Sequence, residues 1–380
     1  MRVAHADFLL VGYPYSDTRA LAPDELLHEL GRSLDAVLHL HPPEEEPSNR
    51  RRIIVTSAVR PDVERQAGPL LGRGPTYAAS MHAYPMPGGP EVGPETEPAS
   101  QSAGLEAVGR LLAGRGVAVL SGAGLSTESG IPDYRGATGS LRRHTPMTYQ
   151  EFTASEDGRR RYWARSHVGW RSIARAEPNA GHRAVEALRR SGHLSAVITQ
   201  NVDGLHRAAG TLAAVELHGG LDRVVCLECR RTSGREDLDR RLHALNDTFR
   251  DTATGARINP DGDVQLPDEL VRAFRVAPCE ACGGVLKPDV VFFGESVPKP
   301  RVQQCFDLVD AARALLVLGS SLTVMSGLRF VRHAARAGKP VVIVNQGATR
   351  GDAFAASKVS LPLGPALTTL AERLAGSPHP

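Results

Sequence analysis

VAVLSGAGLSTESGIPDYRG, from Val117 to Gly136, is the stretch on which the reading of this chain turns. Val117–Leu120 is a short unbroken apolar run, as in a strand buried on both faces. Ser121 and then Gly122-Ala123-Gly124-Leu125-Ser126 follow directly. Glycines at such a strand end let backbone N–H groups approach a pyrophosphate, and a helix starting there would add its positive end. A plain tight turn is the competing reading. The spacing is not G-x-G-x-x-G, because the glycine after Gly124 is Gly130. No acidic residue stands obviously about 20 residues further on to hold a ribose, so a hydride-transfer dehydrogenase fits poorly. The next segment, Gly130-Ile131-Pro132-Asp133-Tyr134-Arg135, is a rigid loop. Taken alone it reads best as a capped loop with an Asp133–Arg135 ion pair.

Outward from this point, similar apolar runs recur at Ala196–Thr199, Leu315–Leu318 and Val341–Val344. Helix-spaced stretches lie between them, including Leu105–Leu112, His182–Arg190 and Gly327–Ala337. This alternation predicts a doubly wound α/β sheet, whose ligands bind beyond the carboxyl ends of its strands. Those ends carry Thr199-Gln200-Asn201-Val202-Asp203-Gly204, Gly319-Ser320-Ser321 and Asn345-Gln346-Gly347. The Gln200–Asp203 side chains need partners if buried, either a ribose and a carboxamide or their own backbone in an Asx-type turn. The other two sets are small, polar loops, equally compatible with ordinary tight connections. Val215-Glu216-Leu217-His218-Gly219-Gly220 puts a histidine on tight backbone where a ligand can come near. Its pKa range suits proton abstraction. With 14 histidines in the chain, His218 by itself has no stronger claim than His182 or His206.

Four of the five cysteines form two C-x-x-C pairs, Cys226/Cys229 and Cys279/Cys282. Two such knuckles give the tetrahedral thiolate set that zinc prefers, and four thiolates leave no open position, so one structural zinc is expected rather than a catalytic metal or a redox dithiol. Cys305 reads as a buried small apolar residue. The second pair runs into Lys287-Pro288-Asp289-Val290-Val291-Phe292-Phe293-Gly294-Glu295, either a core strand or an edge that pairs with an extended peptide.

The 380 residues suffice for a large core. Lys+Arg 45 against Asp+Glu 42 demands no nucleic-acid partner. Near the knuckles, Arg223, Arg230 and Arg231 are offset by Glu228, Glu236, Asp237 and Asp239, without aromatics, so a nucleic-acid-binding zinc ribbon is disfavoured. No apolar run of about 18 residues exists, and Phe8–Val11 is too short for a secretory h-region, so the cytoplasm, with no membrane partner, is the default location. Residues 1–100 differ from the rest. Asp24–His41 predicts one amphipathic helix, and Tyr84–Pro98, crowded with Pro, Gly and Glu, predicts a linker. The region reads as a weakly ordered extension, or as sequence upstream of a start at Met81 or Met86.

Taken together, GAGLSTESGIPDYRG (from Gly122), TQNVDGLH (from Thr199), ELHGG (from Glu216), the two C-x-x-C pairs, KPDVVFFGE (from Lys287), GSSL (from Gly319) and VNQG (from Val344) closely resemble the sirtuin family. Order and rough spacing match from about Leu105 to Pro365. Tyr134, Arg161-Tyr162-Trp163-Ala164-Arg165, Val168-Gly169-Trp170 and Asn259-Pro260-Asp261-Gly262-Asp263 resemble its class II branch.

The resemblance implies a Rossmann-like sheet, about 101–222 and 287–375, with a smaller zinc-binding module inserted at about 223–286. It implies an NAD-dependent protein lysine deacylase that acts on acylated-lysine proteins, with a monomer expected. The products would be free lysine, nicotinamide and O-acyl-ADP-ribose. A protein mono-ADP-ribosyltransferase using the same NAD site is the alternative. His218 would be the catalytic base, acting with Asn201. Gly122, Ala123, Gly124, Ser126, Thr127, Glu128 and Gly130 would line the pyrophosphate and ribose region. Ile131, Pro132, Asp133, Tyr134 and Arg135 would surround the nicotinamide and its ribose. Gln200, Asn201, Val202 and Asp203 would follow on from them. Gly319, Ser320, Ser321, Asn345, Gln346 and Gly347 would hold the adenosine half, with Leu363 over the adenine. Val290, Val291 and Phe292 would pair with the substrate backbone. Sirtuins that remove succinyl groups share a Tyr and an Arg soon after this loop. Here Ser140 stands at the Tyr position and Arg142 matches the Arg, so acetyl or a longer neutral acyl group is expected.

Overall fold

The computed structural model describes residues 38–40, 55–57, 98–135, 146–247, 249, 259 and 262–375. The chain divides into two compact units, Met1–Gly89 and Pro90–Pro380. In the first, β1 (Leu38–Leu40) pairs antiparallel with β2 (Val55–Ser57), Leu40 opposite Val55. The helix expected over Asp24–His41 is therefore corrected at its end: Leu38–Leu40 is strand, its backbone groups satisfied by a partner rich in β-branched residues rather than by a helical turn. The rest of that expected helix, residues 84–97 of the expected linker and the acyl-group stretch Ala137–Arg143 lie outside the described residues.

The second unit opens with α1 (Pro98–Ala113), which begins on a proline, a residue suited to the first helical position. There follow β3 (Val117–Ser121), α2 (Tyr149–Ala154), α3 (Glu156–Ala174), α4 (Ala180–Arg190), β4 (Leu194–Thr199), α5 (Leu205–Ala208) and β5 (Val215–Glu216). Next come β6 (Gly219–Cys226), β7 (Thr232–Gly234), α6 (Arg235–Leu245), α7 (Asp268–Ala273) and β8 (Leu286–Val290). The chain closes with α8 (Lys299–Ala311), β9 (Ala314–Leu318), α9 (Met325–Arg336), β10 (Val341–Val344), β11 (Ser357–Val359) and α10 (Leu363–Ala375). No helix among the described residues is long and apolar enough to cross a membrane.

Six strands form one parallel sheet in the order β11-β10-β9-β3-β4-β5. After β3 the chain first winds to one side and later to the other, so β3 and β9 flank the topological switch point. The strands read as apolar runs because both faces are covered, yet successive residues still point to opposite faces. Val117, Val119, Val197, Leu316, Leu318, Val342 and Val344 pack with Leu112 of α1, Val185 and Leu188 of α4 and Leu367 of α10. Ala118, Leu120, Ile198, Leu315, Val317 and Ile343 pack with Cys305 and Val309 of α8 and Leu328, Phe330 and Val331 of α9. Cys305 is a fully buried core residue, as expected.

A smaller lobe carries an antiparallel sheet, β7-β6-β8. Its core joins Val224, Cys226, Leu238, Leu242, Phe274 and Leu286 to Phe152 of α2 and Tyr162, Trp163 and Trp170 of α3. Arg235 is buried between two indoles, its guanidinium carbon 5.3 Å from the Trp163 ring centroid and 4.7 Å from that of Trp170. Asp239 lies 3.6 Å away and also takes His167 Nδ1 at 2.8 Å. This cation is the centre of the small core; a buried charge is tolerable only when paired and stacked in this way.

Candidate active site and zinc centre

The crevice forms where the loops leaving β3, β4 and β9 meet. Gly122 N–H donates to Leu318 O at 2.9 Å and Gly124 N–H to Gly319 O at 2.9 Å, so the first and third loops cross in backbone contact. A Cβ at Gly122 would stand 2.7 Å from Ser320 Cβ. A Cβ on Gly319, whose φ is +61°, would stand 2.6 Å from Leu125 N. Only glycines permit this crossing. The expected helix after the glycines is not there. Two 3-10 turns, Ala123–Leu125 and Thr127–Ser129, take its place. Gly130 in the left-handed region (φ 83°) and Pro132 two residues on prevent propagation.

The second loop is sewn to the first by side chains. Asn201 Nδ2 donates to Gly122 O at 3.1 Å and to Ser126 Oγ at 3.0 Å. Ser126 in turn donates to Asp203 Oδ2 at 2.7 Å. Asp203 Oδ1 accepts from Leu205 N at 2.9 Å, and Thr199 Oγ1 accepts from Asn201 N at 3.1 Å. The Asx-type turn is thus present, and it leaves Asn201 facing the glycine loop. Burial pushes the Asp203 carboxyl above its ordinary range, opposed by the bonds from Leu205 and Ser126. Gln200 reaches the third loop, its Nε2 donating to Ser320 Oγ at 2.9 Å and to Ser121 O at 3.3 Å. Val202 contributes its carbonyl to Leu221 N at 2.9 Å.

His218 sits between β5 and β6, half-buried at this crevice. Its Nδ1 lies 2.8 Å from Gln200 O, and its Nε2 lies 2.8 Å from Ser326 Oγ on the first turn of α9. A carbonyl oxygen only accepts, so Nδ1 carries the proton and Nε2 the basic lone pair. Burial lowers the His218 pKa, the Gln200 carbonyl opposes this, and the Arg301 and Arg329 cations lower it further, so the ring is neutral near pH 7. The two rival histidines are sealed away: His182 is 0% and His206 2% exposed, with ring centroids 5.0 Å apart. Ser326 was missed by sequence reasoning. A serine that follows GSSL by four residues carries no local signal of pointing at a histidine 108 positions away.

The remaining predicted residues are distributed around this centre. Ile131 is buried, and Tyr134 stands edge-on to Phe293 with centroids 6.1 Å apart. Pro132 and Asp133 are half-buried and Arg135 is exposed at the loop's outer end. Glu128 Oε1 accepts from Gly364 N at 2.9 Å, an acid on the first turn of α10, next to buried Leu363. Leu363 Cδ1 lies 2.8 Å from where a Gly319 Cβ would be. At the end of β10, Asn345 Nδ2 bonds the carbonyls of Gln346 (2.8 Å) and Gly347 (3.2 Å), folding this loop on itself. Ser321 Oγ lies 3.1 Å from Thr323 Oγ1. At the end of β8, Val291 N donates to His218 O at 2.8 Å. Val290 and Phe292 are buried, the Phe292 ring 5.3 Å from Phe152 and 5.1 Å from Tyr162. Val290 and Phe292 are thus core side chains, as the first of the two readings of this strand expects.

In the small lobe the four Sγ atoms of Cys226, Cys229, Cys279 and Cys282 lie within 4.8 Å of one another. Cys226–Cys282 is 3.5 Å and Cys229–Cys279 is 3.8 Å. Zinc–sulfur bonds of about 2.3 Å in a tetrahedron put sulfurs about 3.8 Å apart, so the donor set fits zinc. The knuckles are built alike. Cys226 N donates to Arg231 O at 2.9 Å and Cys279 N to Gly284 O at 2.9 Å. Arg230 and Gly283 both turn at positive φ (61° and 74°) to donate back to the first cysteine's carbonyl.

Comparisons with known proteins agree with this fold. The profile of the Sir2 family matches residues 122–326. The NAD-dependent protein deacetylase 1 of Streptomyces coelicolor is 67% identical over 270 residues, covering 71% of this chain and 90% of that protein. The protein of the same name from Corynebacterium efficiens is 52% identical over 255 residues, 66% of this chain and 91% of its own length. Among solved structures, Sir2 bound to acetylated peptide superposes with a TM-score of 0.55 at 26% identity, covering 72% of this chain and 99% of that one.

Proposed function

The chain belongs to the Sir2 family, and from that premise we propose that it is an NAD-dependent protein lysine deacylase that passes the acyl group of acyl-lysine to ADP-ribose. The observation that carries the reading is His218, neutral, tautomerically fixed by Gln200 O at 2.8 Å, against the segment whose Gln200 and Asn201 side chains reach the glycine loops of β9 and β3. NAD, when bound here, would supply a ribose carbon made electrophilic by loss of nicotinamide. Gly122, Gly124 and Gly319 hold the β3 and β9 loops in backbone contact, and the NAD phosphates would lie along that crossing. Asn201, Ser126 and Asp203, already bonded to one another, hold the pocket floor rigid for the nicotinamide end. His218 Nε2 takes a proton from a ribose hydroxyl. The backbone of Val291, tied to His218 O, sets the edge on which an acyl-lysine peptide lies beside that histidine. Cys226, Cys229, Cys279 and Cys282 would hold one zinc with no position open to substrate, so it would serve as scaffold. On this reading the chain falls in the class II branch and works as a cytoplasmic monomer, with acetyl or a longer neutral acyl group preferred.

His218→Tyr is expected to abolish NAD-dependent deacylation of acyl-lysine peptides while zinc content and melting temperature stay near wild type. Full activity in that well-folded variant would overturn the assignment. With labelled NAD, label should appear in O-acyl-ADP-ribose; label on protein instead would favour mono-ADP-ribosyl transfer.

A further inference from the structure

We propose that Ser326 is a positioning residue for His218: its hydroxyl donates to Nε2 and, with the Gln200 carbonyl on Nδ1, pins the ring in place until a substrate hydroxyl replaces it. The inference rests on the deacylase reading for its kinetics but not for its geometry. Gln200 O takes the Nδ1 proton, so a neutral ring offers one lone pair, at Nε2, and Ser326 Oγ sits on it at 2.8 Å. The placement is built from both sides. Gly327, the next residue, is buried so tightly against Gln200 that a Cβ there would stand 2.3 Å from Oε1. Gln200 Nε2 in turn holds Ser320 Oγ at 2.9 Å, on the loop that leads into α9. Gln200 thus fixes one ring nitrogen through its carbonyl and positions the serine's helix through its side chain.

The charged groups bearing on the ring are Arg301 of α8 and Arg329 of α9. Arg301 Nη1 lies 3.4 Å from Leu217 O, and Arg329 Nε lies 3.3 Å from Met325 O. The neutral Gln200 carbonyl, just after β4, meets the ring at Nδ1, and Val291 N–H, just after β8, meets the His218 backbone carbonyl. The Ser326 hydroxyl donates to Nε2 of the neutral ring and accepts from Nε2–H of the charged one, so it orients the ring in both states, while the two cations disfavour the charged form. When a ribose hydroxyl arrives, the serine turns off about its Cα–Cβ bond, and the ring stays held through Nδ1.

The test uses the full chain as wild type, Ser326→Ala, Ser326→Cys and Ser326→Thr. It reads the pH dependence of kcat/KM on an acetyl-lysine peptide with NAD and the ¹⁵N NMR titration of the His218 ring. The hydroxyl's hydrogen bond to the charged ring is the stronger of the two. Ala and Cys should therefore lower the acid limb and the ring pKa by about 0.5 to 1 unit. Their deficit should be about threefold to tenfold on the plateau above pH 7, where loss of ring positioning is read alone, and smaller at pH 6, with Thr close to wild type. Ring titration and rate profiles of Ala and Cys that superimpose on wild type, at unchanged melting temperature and zinc content, would overturn the proposal. If wild type showed no NAD-dependent deacylation, the function would fail, and the ring titration would still decide the role of Ser326.

Discussion

Acidification from pH 7 to pH 5 should destabilise the NAD-binding half through two histidines that never touch substrate. His206 Nε2 bonds Ser121 Oγ at 2.8 Å, directly below the glycine loop. His182 Nδ1 donates to Asn179 Oδ1 at 3.0 Å, and Asn179 Nδ2 donates to Leu125 O at 2.7 Å in that loop. The second nitrogen of each ring, His182 Nε2 and His206 Nδ1, is buried without a partner. Protonation would place a cation where nothing can accept its new hydrogen. Burial, with the neighbouring His206 and Arg183, pushes the His182 pKa down to about 3, and burial pushes His206 down to about 4. Both folded values lie below the unfolded value near 6.5. The stabilisation is therefore full above pH 6.5 and is lost as pH falls towards 4 and then 3, because only the unfolded chain takes up protons in that window. At about 1.4 kcal/mol per pH unit per group, the loss by pH 5 is about 2 kcal/mol for each ring and about 4 for the pair. For a domain whose total stability is about 5–15 kcal/mol this is a large share. The assay is urea unfolding at pH 7, 6 and 5 on wild type and on His182→Gln/His206→Gln. Wild type should lose the stated amount and the double variant less than half of it. A wild-type stability flat from pH 7 to 5, or an undiminished slope in the double variant, would refute the reasoning.

Cys282→Ser should drop bound zinc from one per chain to near zero and unfold the small lobe, since structural zinc contributes about 10–16 kcal/mol of folding free energy; metal analysis and circular dichroism check this. Gly319→Ala must accommodate a Cβ 2.6 Å from Leu125 N at φ +61°. It should raise the NAD KM at least about tenfold, at a strain cost of about 1–2 kcal/mol, without lowering zinc content. Arg235→Met keeps the stacking volume but removes the cation from Asp239, which Arg171 and His167 still hold. A loss of about 3 kcal/mol in urea unfolding is expected, and a neutral result would mean that the indole stack alone matters.

The sheet was legible because its signals are local. Apolar runs of four or five residues at Val117, Leu315 and Val341 mark strands covered on both faces, and the paired C-x-x-C spacing marks two knuckles, whatever the rest of the chain does. The helix expected after Gly124 failed for a reason also local, the left-handed Gly130 followed by Pro132, which the pyrophosphate-loop analogy outweighed. The end of the helix expected over Asp24–His41 failed for a non-local one, since Leu38–Leu40 finds its hydrogen bonds on Val55–Ser57.

By itself the sequence determined the class of fold, the order of the loops that meet at the strand ends, and a four-thiolate metal site, because periodicity and short spacings are properties of neighbouring residues. Tertiary structure alone decided which histidines are sealed and which faces the crevice, that Glu128 turns to Gly364, 236 residues away, and that Ser326 lies on the Nε2 of His218, 108 residues away. Those contacts depend on how the sheet and α9 pack. Side chains so far apart in the chain acquire a chemical relation only when the backbone between them has folded.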